Sequence, residues 1–310
     1  MKLKKSAAKT LSFFDCFDHP LTLNELHQQL WNHKIDYDEL LDQEENLREF
    51  FDNKDSYFCL NDRKEIINKR QERVKISKKK LDIAKKAAKK LRWIPFLRSV
   101  FICNTLALGS VDEESDIDFF IVAEENRVWL VRFFANIILK LFGLRVNGNK
   151  KSDKICLSFF TSENSLGLSE VTIDRPDVYL IYWINQLLPL YDPYNFYQKI
   201  QRKNQWIQDY LPNIKIEKRT TGRLKVEDSK LSKLWKKIME TVWSGGYGNQ
   251  IDTQTKKIQE MKLKGFFGND YKSDGKNVIL KKNIIKLHKN DRRKEYKNKW
   301  KQNYKNYLND

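Results

Sequence analysis

The chain has few cysteines, and their spacing gives no sign of a disulfide framework or of a cysteine metal site. Cys16, Cys59, Cys103 and Cys156 are the four cysteines among 310 residues, and they are isolated from one another. Each lies in an apolar stretch, where a lone cysteine behaves as a small hydrophobic residue. The pattern predicts reduced, buried thiols in a cytoplasmic protein.

The chain also lacks a long apolar run without charges. The most apolar stretch, residues 128–144, is interrupted by Arg132 and Lys140. It is shorter than the roughly 20 apolar residues that cross a bilayer. The basic N-terminal sequence soon meets Asp15 and Asp18, and it contains no apolar signal-peptide core. We therefore expect no membrane association and interpret residues 128–144 as a buried helix.

Positive charge is concentrated in two segments. Of the net charge of +18, residues 63–92 and residues 255–310 each carry +11, which leaves −4 on the rest of the chain. Concentrated positive charge favours polyanions, so both segments are candidate nucleic-acid surfaces. The alternative is a solvated, lysine-rich surface in a chain that is also rich in Asn and Ile. The sequence leaves both interpretations open.

The most informative stretch is an apolar strand that begins with two aspartates. Asp116 and Asp118 alternate with Ile117 and Phe119, and the apolar run continues to Val122. Side chains on a strand alternate between faces, so both carboxylates should point the same way, with Cα atoms roughly 7 Å apart. Two carboxylates at the mouth of an apolar strand repel each other and are costly to desolvate without a cation between them. The spacing therefore predicts a Mg²⁺ or Mn²⁺ site.

A second apolar strand, residues 100–103, leads into Asn104 and Thr105, and ten residues then separate Thr105 from Asp116. This arrangement resembles the polymerase-beta-like nucleotidyltransferase superfamily, and within it an uncharacterised bacterial group with an N-terminal winged-helix-like module. The superfamily signature has Gly, then Gly or Ser, where this chain has Asn104 and Thr105. Asn tolerates left-handed backbone and Thr keeps a hydroxyl. Gly109 lies too close to Asp116 for the phosphate contact and is predicted to end a short helix.

The resemblance implies a metal-dependent enzyme that moves an NMP from an NTP to a hydroxyl acceptor and releases pyrophosphate. Asp116 and Asp118 would hold Mg²⁺ or Mn²⁺ and would be the catalytic residues. The superfamily usually has a third carboxylate on the next strand, where this chain offers Ser158. The alternative is a catalytically impaired relative that acts as a nucleic-acid-binding or antitoxin-like regulatory module. The residues that we assign to the nucleotide are Asn104, Thr105, Ser115 and Arg132.

For Arg132 and for a group of three aromatic residues, the sequence allows both a structural and a functional role. Arg132 is an interior charge in an apolar helix, so it either contacts a phosphate or an aspartate in the pocket, or forms a core ion pair or reaches the surface. Tyr179, Tyr182 and Trp183 lie at helical spacing. They either pack in the core, which is the commoner use of such a stripe, or stack on a nucleobase.

Residues 1–62 have the pattern of a winged-helix-like module, three helices followed by a hairpin. Thr22 and Glu25 form a capping-box pattern at the start of the second helix. The third helix, predicted over residues 37–49, is acidic, which disfavours contact with DNA and favours a packing or protein-contact role. A protein partner is therefore a candidate for this module.

The fold class predicted from these patterns is α+β, a nucleotidyltransferase core with a small mixed sheet, a winged-helix-like domain before it and helical segments after it. We expect the last fifteen residues to be loosely ordered. The predicted parts of the chain are a module at 1–62, a basic linker helix at 63–93, a nucleotidyltransferase-like domain at 94–212 and a basic, mostly helical region at 213–310.

Overall fold

The computed structural model describes residues 2–147, 151–216, 222–268, 277–287 and 291–309. Helices and a mixed sheet confirm the predicted α+β class. The helices are α1 (Lys2–Asp15), α2 (Leu23–Gln29), α3 (Tyr37–Asp42), α4 (Glu44–Phe50), α5 (Glu65–Leu91), α6 (Asn104–Leu108), α7 (Val128–Leu141), α8 (Val178–Gln186), α9 (Phe196–Lys203), α10 (Lys230–Val242), α11 (Gly245–Phe267) and α12 (Arg293–Asn309). The strands are β1 (Leu21–Thr22), β2 (Asp52–Lys54), β3 (Tyr57–Cys59), β4 (Leu97–Ile102), β5 (Ile117–Ala123), β6 (Ile155–Ser162), β7 (Leu188–Tyr191), β8 (Val278–Leu280) and β9 (Ile284–Leu287).

The larger sheet has six strands in the order β7-β4-β5-β6-β9-β8. β5 pairs with β6 in parallel, with Asp118 opposite Cys156, whereas β4, β7, β8 and β9 pair antiparallel with their neighbours. Sequence reasoning did not predict β7 or β9, and it described the C-terminal region as mostly helical. Through β9, that region joins the sheet that contains Asp118.

The side chains of β5 alternate between the two faces of this sheet, as predicted. Ile117 and Phe119 are fully buried in the core that includes apolar residues of α5 and α7. Phe120 is buried in the opposite core, together with apolar residues of α1 and α8. Both faces of β5 are therefore covered, and Asp118, the second residue of the strand, is its one partly exposed residue.

The basic helix predicted over residues 63–92 is confirmed as α5. Within this helix the apolar Val74 is 60 % exposed, while Arg73 and Lys80 are buried. Lys80 Nζ donates hydrogen bonds to the backbone oxygens of Glu113 and Ser115, at 2.8 and 2.7 Å. The positive charge of the helix thus fixes the loop that leads to Asp116.

The N-terminal residues form the predicted helices and hairpin, and β1, β3 and β2 make a three-stranded sheet. The capping box at Thr22 and Glu25 is confirmed. The third helix is not continuous, because it divides into α3 and α4 at Gln43. The expectation that the last fifteen residues are loosely ordered is wrong: α12 continues to Asn309, and Trp300 Nε1 donates a 2.8 Å hydrogen bond to the Lys9 carbonyl of α1.

None of the helices in the described residues combines the length and the apolar character that a membrane crossing requires.

Candidate functional site

A cleft of about 510 Å³ opens at the start of β5, and we call it the acid cleft. Asp116 and Asp118 line one wall, next to Asn104 and Thr105 at the start of α6. Aromatic side chains of α8 also line it, as do Lys286, Asp291, Arg292, Arg293 and Tyr296. The structure therefore brings four of the predicted site residues into one cleft, which has the volume of a typical small-molecule site.

The two carboxylates lie close together and have no ion-pair partner among the described residues. Ligand atoms of Asp116, Asp118 and Cys156 all lie within 4.8 Å of one another. Although part of the Asp118 side chain faces the cleft, enclosure of its carboxyl by protein and then the charge of Asp116 raise its pKa to about 6. Burial also raises the pKa of Asp116, against the opposing charges of Lys151 and Arg145. A divalent cation would relieve this repulsion, so the donor set fits a metal ion.

The backbone of Asn104 is in the left-handed region, with φ at 57°, a conformation that Asn tolerates. Its Oδ1 accepts hydrogen bonds from Trp183 Nε1 at 2.8 Å and from the Tyr179 hydroxyl at 3.2 Å. The Asn104 side chain also lowers the pKa of Asp118. Gly109, with φ at 83°, ends the short helix as predicted. Asn104 thus links the aromatic side of the cleft to the acid pair.

Ser115 lies next to the acid pair in sequence, but its polar groups are used in the turn before β5. Its Oγ accepts a 3.1 Å hydrogen bond from the Asp112 amide, and its own amide donates to the Asp112 carbonyl at 3.1 Å. Its carbonyl accepts from Lys80. These contacts position Asp116 rather than reach into the cleft.

Arg132 does not line the acid cleft. It is 6 % exposed on α7, and its Nη1 donates a 2.6 Å hydrogen bond to Gln259 Oε1 of α11. Burial lowers its pKa to about 10. These contacts favour the interpretation of Arg132 as a core residue over that of a phosphate ligand.

The strand next to the acid pair contributes a thiol and a hydroxyl. Cys156 faces Asp118 across the parallel pair, and burial together with the two aspartate charges raises its pKa well above the usual thiol value. Ser158 is 2 % exposed, and its hydroxyl has no hydrogen-bond partner among the described residues. Sequence reasoning had placed only Ser158 here, because it interpreted all four cysteines as core residues. All four are free, but Cys16 and Cys156 are only partly buried.

A buried network of four charged side chains, which sequence reasoning missed, also contributes to the lining of the acid cleft. Arg293 donates to Asp177 Oδ2 at 2.8 Å and to Asp291 Oδ2 at 2.7 Å. Lys286 of β9 pairs with Asp291. The apolar pair at 284–285 followed by a charged residue is the sequence signal for this network. In β5 the order is the opposite, because the charged residues come first and the apolar run follows.

The three aromatic residues of α8 divide between the two interpretations offered for them. Tyr182 is 1 % exposed and stacks on Phe13 at 4.2 Å, which places it in the core. Tyr179 stacks on Tyr296 of α12 at 5.4 Å, and both rings line the cleft. Trp183 lines the cleft as well. Aromatic rings therefore line the cleft beside the acid pair.

Neither a family model, nor a curated protein, nor a solved structure matches this chain.

Proposed function

We propose that the protein is a metal-dependent nucleotidyltransferase that moves an NMP from an NTP to a hydroxyl acceptor. The observation that carries this proposal is the pair Asp116 and Asp118, unpaired by any described cation within the acid cleft. The resemblance of residues 100–122 to the polymerase-beta-like superfamily supports it. The acceptor class is a nucleic-acid end, a protein hydroxyl or a small molecule.

In this proposal Asp116 and Asp118 would hold a divalent cation, which the resemblance gives as Mg²⁺ or Mn²⁺ and which would supply positive charge to the triphosphate. Asn104 and Thr105 line the same cleft and would lie beside the phosphates. The acceptor oxygen forms a bond to the α-phosphorus while the bond from that phosphorus to the α–β bridging oxygen breaks. Pyrophosphate leaves, and the hydroxyl proton passes to water. The chain contributes mainly positioning and electrostatic stabilisation, as is typical of phosphoryl transfer.

The test is incubation of the purified protein with α-³²P-labelled NTPs, Mg²⁺ or Mn²⁺ and a cell extract, followed by detection of labelled products. Replacing either acid, in Asp116→Asn or Asp118→Asn, should lower transfer by about 10²–10³-fold or more. Asp82→Asn is the matched control, because Asp82 is exposed on α5. Full transfer by both acid-pair variants would refute the proposal.

A second candidate is nucleic-acid binding without transfer, and the surface of α5 favours it. Eight lysines on α5 or at its N-cap are exposed to solvent: Lys64, Lys69, Lys75, Lys78, Lys79, Lys86, Lys89 and Lys90. Phosphate contacts of this kind weaken steeply with salt. Affinity for single- or double-stranded nucleic acid that falls with salt, in a protein that transfers no nucleotide, would favour this candidate.

A further inference from the structure

Cys156 occupies the place beside the acid pair where a third metal ligand would lie. It is directly opposite Asp118 in the parallel pairing of β5 and β6. Its Sγ and a carboxylate oxygen of each aspartate lie within 4.8 Å of one another. Ligands at roughly 2.0–2.3 Å from a tetrahedral metal are about 3.3–3.8 Å apart, so small side-chain rotations would close this set. Three protein ligands with an open fourth position are typical of catalytic metal sites.

A second observation at the same place is the hydroxyl of Ser158. The pairing register shifts after Cys156, because Phe120 faces Phe159 although Asp118 faces Cys156. The irregularity puts one extra residue of β6 beside Phe119. Ser158 lies in that stretch, 2 % exposed, and its Oγ has no hydrogen-bond partner among the described residues. It lies two residues from Cys156 along β6 and beside Asp118. A buried hydroxyl without a partner next to the acid pair indicates a ligand that completes its contacts.

Arg145 provides charge that suits a thiolate at position 156. Its Nε donates to Asn136 Oδ1 at 3.0 Å and its Nη1 to the Ile155 carbonyl at 3.0 Å. Held by the carbonyl of the residue that precedes Cys156, the guanidinium lies near the thiol. A thiol that coordinates a metal loses its proton, and a fixed neighbouring guanidinium stabilises the resulting anion.

We propose that Cys156 is a third ligand, with Asp116 and Asp118, of a thiophilic divalent cation such as Zn²⁺, which the site binds in preference to Mg²⁺. Thiolate ligands select zinc-like ions, whereas oxygen-only sets suit Mg²⁺. This inference rests on the proposed function only in taking the two aspartates as metal ligands. It adds the identity of the third ligand and the class of ion, and it holds whatever the acceptor is.

The test is titration of the purified full-length protein with Co²⁺, a zinc substitute whose bond to a thiolate gives a charge-transfer absorption band, and with Zn²⁺ and Mg²⁺ in competition. In the unmodified protein this band should saturate at one Co²⁺ per chain. Zn²⁺ should displace the Co²⁺ far more effectively than Mg²⁺ does. In Cys156→Ser the band should vanish and the preference for Zn²⁺ over Mg²⁺ should fall by about 100-fold or more. Cys59→Ser is the matched control, because Cys59 is buried near Ile66 and Ile67, in a cluster apart from the acid cleft.

Circular dichroism checks that each variant is folded. A second test, alkylation of cysteines in the unmodified protein, needs no variant. Bound Zn²⁺ should slow alkylation of Cys156 by iodoacetamide, as mass spectrometry of the peptide reports, and it should leave Cys16 unaffected. Cobalt binding without the band, or a band that survives in Cys156→Ser, would overturn the inference. So would alkylation of Cys156 that Zn²⁺ does not slow. Since no nucleotide is present, these results are separate from the transfer assay: a Zn²⁺ site in a protein that transfers nothing would remove the proposed function alone.

Discussion

Two clusters of buried charge border the acid cleft, and they differ in how their charge is balanced. The first is the acid pair, Asp116 and Asp118, with no ion-pair partner among the described residues. The second, which we call the paired cluster, contains two cations and two anions joined by ion pairs: Asp177, Lys286, Asp291 and Arg293. Both clusters contribute to the lining of the cleft.

The difference favours a structural role for the paired cluster and supports the proposed binding role of the acid pair. Buried charges persist when they are paired with one another or with a ligand. The paired cluster satisfies its own charges and ties β9 and the start of α12 to the N-terminus of α8, since Asp177 caps that helix. The acid pair keeps two negative charges that nearby Lys151 and Arg145 offset only in part. We infer that the missing positive charge comes from a ligand.

The largest effect on stability is expected from breaking the paired cluster at Arg293. This side chain is 6 % exposed and holds both Asp177 and Asp291. Arg293→Ala would leave these two carboxylates buried without their main partner, so the free energy of unfolding should fall by about 3–5 kcal/mol. Urea unfolding followed by circular dichroism measures it. A loss below about 1 kcal/mol would mean that the paired cluster is not a structural element.

The two clusters should respond with opposite sign when one carboxylate is neutralised. Asp291→Asn removes the charge of a carboxylate that Lys286 and Arg293 share, and should lower the free energy of unfolding by about 2 kcal/mol. Asp118→Asn removes repulsion from Asp116, so without divalent cations it should leave the protein as stable or more stable. Both variants are compared by chemical unfolding in the presence of a chelator. Equal destabilisation by both would contradict the distinction between the clusters.

Much of the acid-pair wall follows from the sequence, because its signals are local. The alternation from Asp116 to Phe119 fixed which side chains share a face of β5, and Gly109 ends α6 as expected. Asn104 has the predicted backbone but also binds Trp183 and Tyr179, which are some 75 residues or more away in the chain. Local pattern does not contain such contacts.

The rest of the site depends on strand pairing between distant segments. Cys156 reaches Asp118 only because β6 lies parallel to β5, and an apolar strand containing a lone cysteine gives no sign of that neighbour. The paired cluster forms because β9 joins β6, more than 120 residues later in the chain. Arg132 illustrates the converse, since the sequence left its functional and core interpretations open and the contact with Gln259 of α11 favours the core. Sequence pattern identifies candidate side chains, while pairing decides which of them meet.

Acid should weaken the paired cluster in a defined direction. Burial alone would raise the pKa of Asp291, but hydrogen bonds from Arg293 and the charge of Lys286 lower it well below the usual carboxyl value. A lowered folded-state pKa gives stability that is present above the ordinary carboxyl pKa, about 4, and is lost as pH falls further. The stability difference between the unmodified protein and Asp291→Asn should therefore be constant from about pH 7 to 5 and shrink below about pH 4. A difference that grows on acidification would reverse the assigned sign.

The smallest effect is expected at Arg292, which adjoins the paired cluster in sequence but does not belong to it. Its side chain is 56 % exposed, pairs with Glu295 at 2.6 Å and lies over the Tyr296 ring at 4.9 Å. Exposed pairs of this kind contribute about 0–1 kcal/mol, so Arg292→Ala should change the free energy of unfolding by less than about 1 kcal/mol.

Because Arg292 lines the cleft, the same variant should bind NTP about 3- to 10-fold more weakly, an effect of about 1 kcal/mol. Calorimetry with ATP and Mg²⁺ or Zn²⁺ measures it, with Arg202→Ala on α9, outside the cleft lining, as the control. If Arg292→Ala binds NTP as tightly as the unmodified protein, Arg292 does not contact the phosphates, and the residues around the acid pair alone would bind them.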